Sequence, residues 1–246
     1  MKSSVPLFDR VLQRRMRRYW TRKRKAGGIS DDLRRDARKL RRILDDIERN
    51  TEGSFSARSD AKDGLPASTI WGKRPDPWSS LISPVGSGPL KPGTRLAPDT
   101  SLYHDGKTGE VFAKQVLEEH TGYPELSLDV AEFDGDYVSL ALALPQTEIA
   151  AIQRNDLIRL DLTHTSSRPI NATARANVKI GPNVEVITRE IDRHRARPFV
   201  EFDLFYAELD AQKITDVWVD VIFDKPTTNV ITIHDLRLSR RPRAGA

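Results

Sequence analysis

The sequence predicts a mainly β protein, a jelly-roll-like antiparallel β-sandwich preceded by a basic N-terminal helical hairpin. Three observations carry this expectation. From about residue 99, apolar side chains recur at every second position in short runs divided by turn residues. Residues 50–98 hold seven of the fifteen prolines, and they precede the strands as a break in any periodicity. Residues 1–50 repeat their apolar positions every three to four residues, the helical period. The organisation that follows is a basic helical arm at 1–50, a Pro/Ser/Gly-rich linker carrying a Trp-containing strap at 51–98, and a β-sandwich domain at 99–246.

The arm begins with a helix over about 6–25. Phe8, Val11, Leu12, Met16 and Tyr19 share one face, with Trp20 at its edge and Lys23 intruding. Arg10, Arg14, Arg17, Arg18 and Lys25 fall on the other side. Gly27 and Gly28 end this helix, because glycine readily takes the left-handed conformation of a helix terminus. Ser30 then caps a second helix over about 31–49, with Asp31 and Asp32 at its positive end. Leu33, Ala37, Leu40, Leu44 and Ile47 form its narrow apolar seam.

Residues 51–68 read as flexible linker. The strap Trp71–Trp78 (WGKRPDPW) differs, since two tryptophans are rarely left in water, and it is expected to lie ordered against the β domain. In that domain Glu125–Phe133, Asp134-Gly135 and Asp136–Leu144 predict a β-hairpin, because Asp-Gly suits a tight turn between alternating runs. Further strands read at 157–164, 170–180, 184–191, 199–206, 215–224 and 229–239, with weaker ones at 100–104 and 110–117. The longest helical pattern here is Thr147–Arg154. In the last strand Ile231 and Ile233 differ in parity from Leu236 and Leu238, which predicts a β-bulge around His234-Asp235.

Charge is unevenly placed. Residues 1–50 carry 17 Lys/Arg against 7 Asp/Glu, whereas the rest carry 23 against 28. An arm of this kind is expected to meet something anionic, either a phospholipid surface or nucleic acid. Phe8, Tyr19 and Trp20 opposite the arginines fit an interfacial helix equally well. Arg237, Arg240, Arg241 and Arg243 read as a second basic patch. No secretory signal or membrane-spanning run is visible, so the expectation is a cytoplasmic protein, peripheral at the inner membrane if lipid is the target.

Few chemistries survive inspection. There are no cysteines, which excludes disulfides, thiolate nucleophiles and thiolate metal ligands. His104, His120, His164, His194 and His234 sit in no ligand spacing or nucleophile motif, so no metal, cofactor or catalytic residue is expected. Gly86 and Gly88 lack the Lys-Ser/Thr that phosphate loops need. What remains is a set of carboxylates and aromatics out of phase with apolar positions. Glu201, Asp203 and Phe205 alternate with Val200, Phe202, Leu204 and Tyr206. Asp216, Trp218 and Asp220 alternate with Val217, Val219 and Val221, and Phe199, Ile222 and Asp224 continue the two patterns. Such a face either is covered by the Trp71–Trp78 strap, or meets a protein, or stacks sugar rings.

Several stretches resemble an uncharacterised bacterial family, found mainly in alphaproteobacteria and without assigned function. They are Trp71–Trp78, Gly93–Asp99 (GTRLAPD), Tyr103–Asp105 (YHD), Asp216–Phe223 (DVWVDVIF) and Asp235–Arg243 (DLRLSRRPR). The closing Ile231–Leu238 pattern is similar to the last strand of galactose-binding-like jelly rolls. Function is therefore expected to be non-catalytic, that of a binding or adaptor protein with Phe205, Trp218, Glu201, Asp203, Asp216 and Asp220 as its contact residues. The alternative is a carbohydrate-binding jelly-roll module, and the third reading is a glycan-acting enzyme.

Overall fold

The computed structural model describes residues 64–82, 88–118, 123–192, 194–195, 197–206 and 213–243. The helical arm, with Arg10, Arg14, Arg17, Arg18 and Lys25, and the first part of the linker lie outside the described residues.

The alternating runs become strands: β1 (Trp71–Lys73), β2 (Thr94–Ala97), β3 (Thr100–His104), β4 (Glu110–Leu117), β5 (Pro124–Ala131) and β6 (Tyr137–Ala143). After a single-turn helix α1 (Gln146–Ile149) come β7 (Asp156–Ser166), β8 (Ala172–Ile180), β9 (Asn183–Glu190), β10 (Phe199–Asp203), β11 (Ile214–Asp224) and β12 (Asn229–Pro242). The first sheet runs β10-β7-β12-β5-β4, with β1 pairing β12 as well, and the second runs β2-β3-β6-β11-β8-β9. Every pairing among the described residues is antiparallel. The two inner faces meet in one core. Leu126, Leu128, Ile158, Leu160, Ile231 and Ile233 fill it from the first sheet. Leu102, Val138, Leu140, Val219, Val221 and Phe223 fill it from the second. Burying each such side chain contributes about 1.5–3 kcal/mol, which is why the apolar alternation, and not the turns, fixes which face points inward.

The parity change in β12 is resolved as expected. Its register against β7 shifts between Ile233 and Asp235, so Ile233 and Leu236 both point into the core. The bulge turns His234 outward, where its Nδ1 lies 2.8 Å from Glu125 Oε1 and its Nε2 2.8 Å from Thr165 Oγ1.

The Asp134-Gly135 hairpin does not form. β5 pairs β4 and β12 in the first sheet, whereas β6 pairs β3 and β11 in the second. The intervening residues carry the chain across the end of the sandwich. Phe133 is buried beneath the crossing, and Asp134 accepts the backbone N–H groups of Lys107 and Thr108. Those bonds, the Thr108 one foremost, hold its carboxyl below the usual carboxylate range. A Cβ on Gly135 would come within 2.5 Å of the Phe133 ring, so the glycine allows close approach rather than a hairpin turn. Alternation alone cannot distinguish the two outcomes, since either connection sends the same side chains inward.

The strap is ordered. β1 lies along β12 at Leu238–Arg240, sharing that edge with β5, which pairs Asn229–Ile233. Trp78 is fully buried and donates its indole N–H to the Ile233 carbonyl at 3.0 Å. Thr100 and Gln115 bond the strap's carbonyls at Asp76 and Pro77. No described helix is long and apolar enough to cross a membrane.

Candidate functional site

The structure divides the predicted contact residues between opposite outer faces. Glu201 and Asp203 stand on β10, and Phe205 on the 3-10 turn after it, all against β7 of the first sheet. Asp216, Trp218 and Asp220 stand on β11 at the centre of the second. The two strands adjoin in sequence but belong to different sheets, so their matching alternations produce two outer faces and not one.

On the first sheet the carboxylates are consumed by arginines. Arg241 donates to both Glu201 oxygens, at 3.0 and 3.2 Å. Arg243 lies 3.4 Å from Asp203, which also accepts the Phe205 backbone N–H. Phe205 is exposed, with the Arg154 and Arg243 guanidinium groups over its ring. Arg159 stacks 3.7 Å from the centre of the Phe199 ring. Its bond to Asp161 raises its already high pKa, so it stays charged. The second basic patch expected at the C-terminus is likewise neutralised. Arg237 pairs with Asp235, and Arg240 is buried against Asp156 and Glu148. Reading charge along one strand misses partners supplied by its neighbours.

The second sheet presents an open concavity of about 900 Å³. Its floor is made of small side chains on β3 and β6: Ser101, Ser139, Ala141 and Ala143. Tyr103 and Tyr137 stand toward one end and Trp218 toward the other, where Trp218 pairs with Ala143. Tyr103 pairs with Ser139, four residues from Ala143, so the platforms lie roughly 13 Å apart along the strands at about 3.3 Å per residue. Trp218 is half-buried, and no strap residue lines the concavity. The strap therefore does not cover this face as one reading expected. It closes the side of the sandwich, bonded to β12, β3 and β4.

Three cations (Arg95, Arg175, Lys179) and three carboxylates (Asp99, Asp216, Asp220) line the concavity. The carboxylates pair with Lys73, Lys179 and Arg175 respectively. Asp220, expected to be exposed, is buried, because Arg175 and Asn177 supply three donors to its Oδ2. Tyr103, Tyr137 and Arg175 are not among the contact residues expected from the sequence. The outward run of small residues on β6 was the available signal, since a strand lined with alanine and serine leaves a trough between larger neighbours.

A smaller concavity of about 450 Å³ at one end of the sandwich is lined by His164, Glu190, Asp192, His194 and Asp224. Burial, followed by the charge of Glu190, raises the Asp224 carboxyl, and burial lowers the His164 imidazole. Among the described residues, no group of three or more His, Asp or Glu side chains is arranged to hold a metal ion.

Solved structures similar to this one include three proteins. One is the enzymatically active domain of tailspike protein 4 from bacteriophage CBA120, with TM-score 0.39 and 8% identity over 57% of this chain and 19% of that one. A family 11 carbohydrate-binding module from Clostridium thermocellum has TM-score 0.34 and 17% identity, over 63% of this chain and 95% of that one. A family 22 xylan-binding domain from Paenibacillus barcinonensis has TM-score 0.36 and 10% identity, over 65% and 94%. No curated protein matches the chain in sequence. Across residues 1–246 the sequence matches one family throughout, and the chain belongs to that family of unknown function, DUF6478.

Proposed function

We propose that the outer face of the second sheet binds uncharged carbohydrate, making the sandwich a non-catalytic recognition module. The observation that carries this reading is the concavity itself: aromatic rings at both ends of a shallow floor, with lining charges that balance. Sugar rings offer apolar C–H faces for Tyr103 and Trp218 and hydroxyls for the polar groups between them. A polyanion would gain nothing from a lining without net charge. Glycoside cleavage needs a free acid–base pair of carboxylates, and each carboxylate here already holds a cation. The test is affinity electrophoresis through gels containing neutral polysaccharides or heparin. Retardation by a neutral polysaccharide, abolished in both Trp218→Ala and Tyr103→Ala, is expected. Retardation unchanged in both variants would remove the concavity as the site. Binding only to heparin would move function to the arm, for which Arg10, Arg14, Arg17, Arg18 and Lys25 are proposed as contacts to a phospholipid surface or nucleic acid.

A further inference from the structure

Each sheet has two edges, and an edge strand offers unpaired backbone groups to any other strand. Three of the four edges are managed. β4 is flanked by the chain leading from the strap. There Leu90 N–H donates to the Val111 carbonyl at 2.7 Å, and Gln115 exchanges hydrogen bonds with Ile82 N–H and the Ser80 carbonyl. β2 has four residues and a register shift. β10 has five and turns at once into the 3-10 helix. β9 is different. It runs eight residues without proline or register shift, and among the described residues its backbone pairs only with β8, while β10 of the other sheet lies close to it without pairing. Val184 and Val186 are 43% and 52% exposed on it.

We infer that β9 is the contact between two copies of this chain, joined edge to edge as antiparallel strands. The β8–β9 turn fixes which groups are on offer. Ile180 and Asn183 pair across two turn residues, Gly181 and Pro182, so odd-numbered residues of β9 bond to β8. The N–H and C=O groups of Val184, Val186, Thr188 and Glu190 then point out of the sheet. A two-fold axis at Ile187 sets Val186 opposite Thr188 of the second copy as a hydrogen-bonded pair. Glu185 then falls opposite Arg189 of the second copy, twice, at the non-hydrogen-bonded positions where side chains approach closest. Arg189 donates to its own neighbour's carbonyl, Thr188, at 2.9 Å in the single chain, and this bond is exchanged on pairing.

The sign of these charges decides between a guard and a dock. Edge charges that protect a strand repel a second copy of themselves, as a row of lysines does. Glu185 and Arg189 are opposite in sign and lie symmetrically about Ile187, so they attract under the two-fold operation that closes a dimer.

Light scattering on the eluting full-length chain should give the mass of two copies. Glu185→Arg and Arg189→Glu should each halve that mass, since like charges then face each other. An equimolar mixture of the two variants should restore it, because each new charge faces its opposite. Val186→Pro, which removes an outward N–H while leaving the β8 ladder intact, should also give the single-chain mass with an unchanged melt. A wild-type monomer, variants that keep the dimer mass, or a mixture that stays monomeric would each overturn the assignment.

Discussion

Asp220 and Arg175 face each other across β11 and β8, and their exposures differ sharply: the aspartate side chain is 7% accessible and the arginine 45%. Removing either partner therefore has unequal consequences. Without Arg175 the carboxylate stays buried with Asn177 as its remaining donor, which costs about 2–3 kcal/mol. Without the carboxylate charge the guanidinium can turn into water, at a cost of about 1 kcal/mol or less. Urea melts should accordingly place Arg175→Met well below Asp220→Asn at unchanged m-value. The reverse order would mean that Asp220 is not the desolvated member of the pair.

Trp218 and Phe205 occupy opposite outer faces, so their substitutions should act independently. Trp218→Ala is expected to abolish retardation by neutral polysaccharide, whereas Phe205→Ala should leave it intact. Phe205→Ala should also lose about 1 kcal/mol from its two guanidinium contacts. The double variant should show the sum of the two stability changes within about 0.5 kcal/mol. Measurable coupling between them would contradict the separation of the faces.

That separation marks the limit of what alternation conveys. The inward sets of β5, β6, β7, β11 and β12 were legible, and so was the slip at His234, because a single misplaced parity would expose several apolar groups at once. Sheet membership was not legible. The residues around Gly135 look like a hairpin turn, yet the chain changes sheets there, since Phe133 and the Lys107–Thr108 amides make the crossing favourable. The concavity was half legible: Trp218 stood out, but its floor on β6 and its far wall at Tyr103 required knowing that β3, β6 and β11 are neighbours.

Trp78 anchors the strap through both its ring and its N–H. Trp78→Ala should cost about 3–5 kcal/mol for the buried ring. Trp78→Phe should lose about 1–2 kcal/mol, leaving the Ile233 carbonyl without this donor while much of the apolar volume remains. Equal losses in thermal melts of the two variants would show that the hydrogen bond, and not the ring, holds the strap in place.

The basic arm is proposed to act electrostatically. A chain truncated to begin at Leu65 should lose salt-sensitive binding to anionic vesicles and to duplex DNA, and retain its β-sheet circular dichroism. Equal binding by truncated and full-length chains across a salt titration would move the anionic contact onto the sandwich. Vesicle binding without DNA binding, both measured at the same ionic strength, would select the membrane as the surface.

His164 is expected to make the fold sensitive to mild acid. Its ring packs edge-on to Phe223, with centroids 5.5 Å apart, and its buried Nδ1 has no hydrogen-bond partner among the described residues. Burial, and secondarily the nearby His234, lowers its pKa below the ordinary value of about 6.5. The unfolded chain thus takes up this proton first. Stability is full above about pH 6.5 and falls as pH drops through the folded pKa, because protons favour the state that binds more of them. Asp224 lines the same end of the sandwich with the opposite sign. Its raised carboxyl makes the folded state the better proton acceptor as pH falls toward the carboxylate range. Thermal melts between about pH 7 and about pH 5 should therefore show a decline that His164→Gln flattens and Asp224→Asn does not. A decline of equal slope in His164→Gln would assign it to another group.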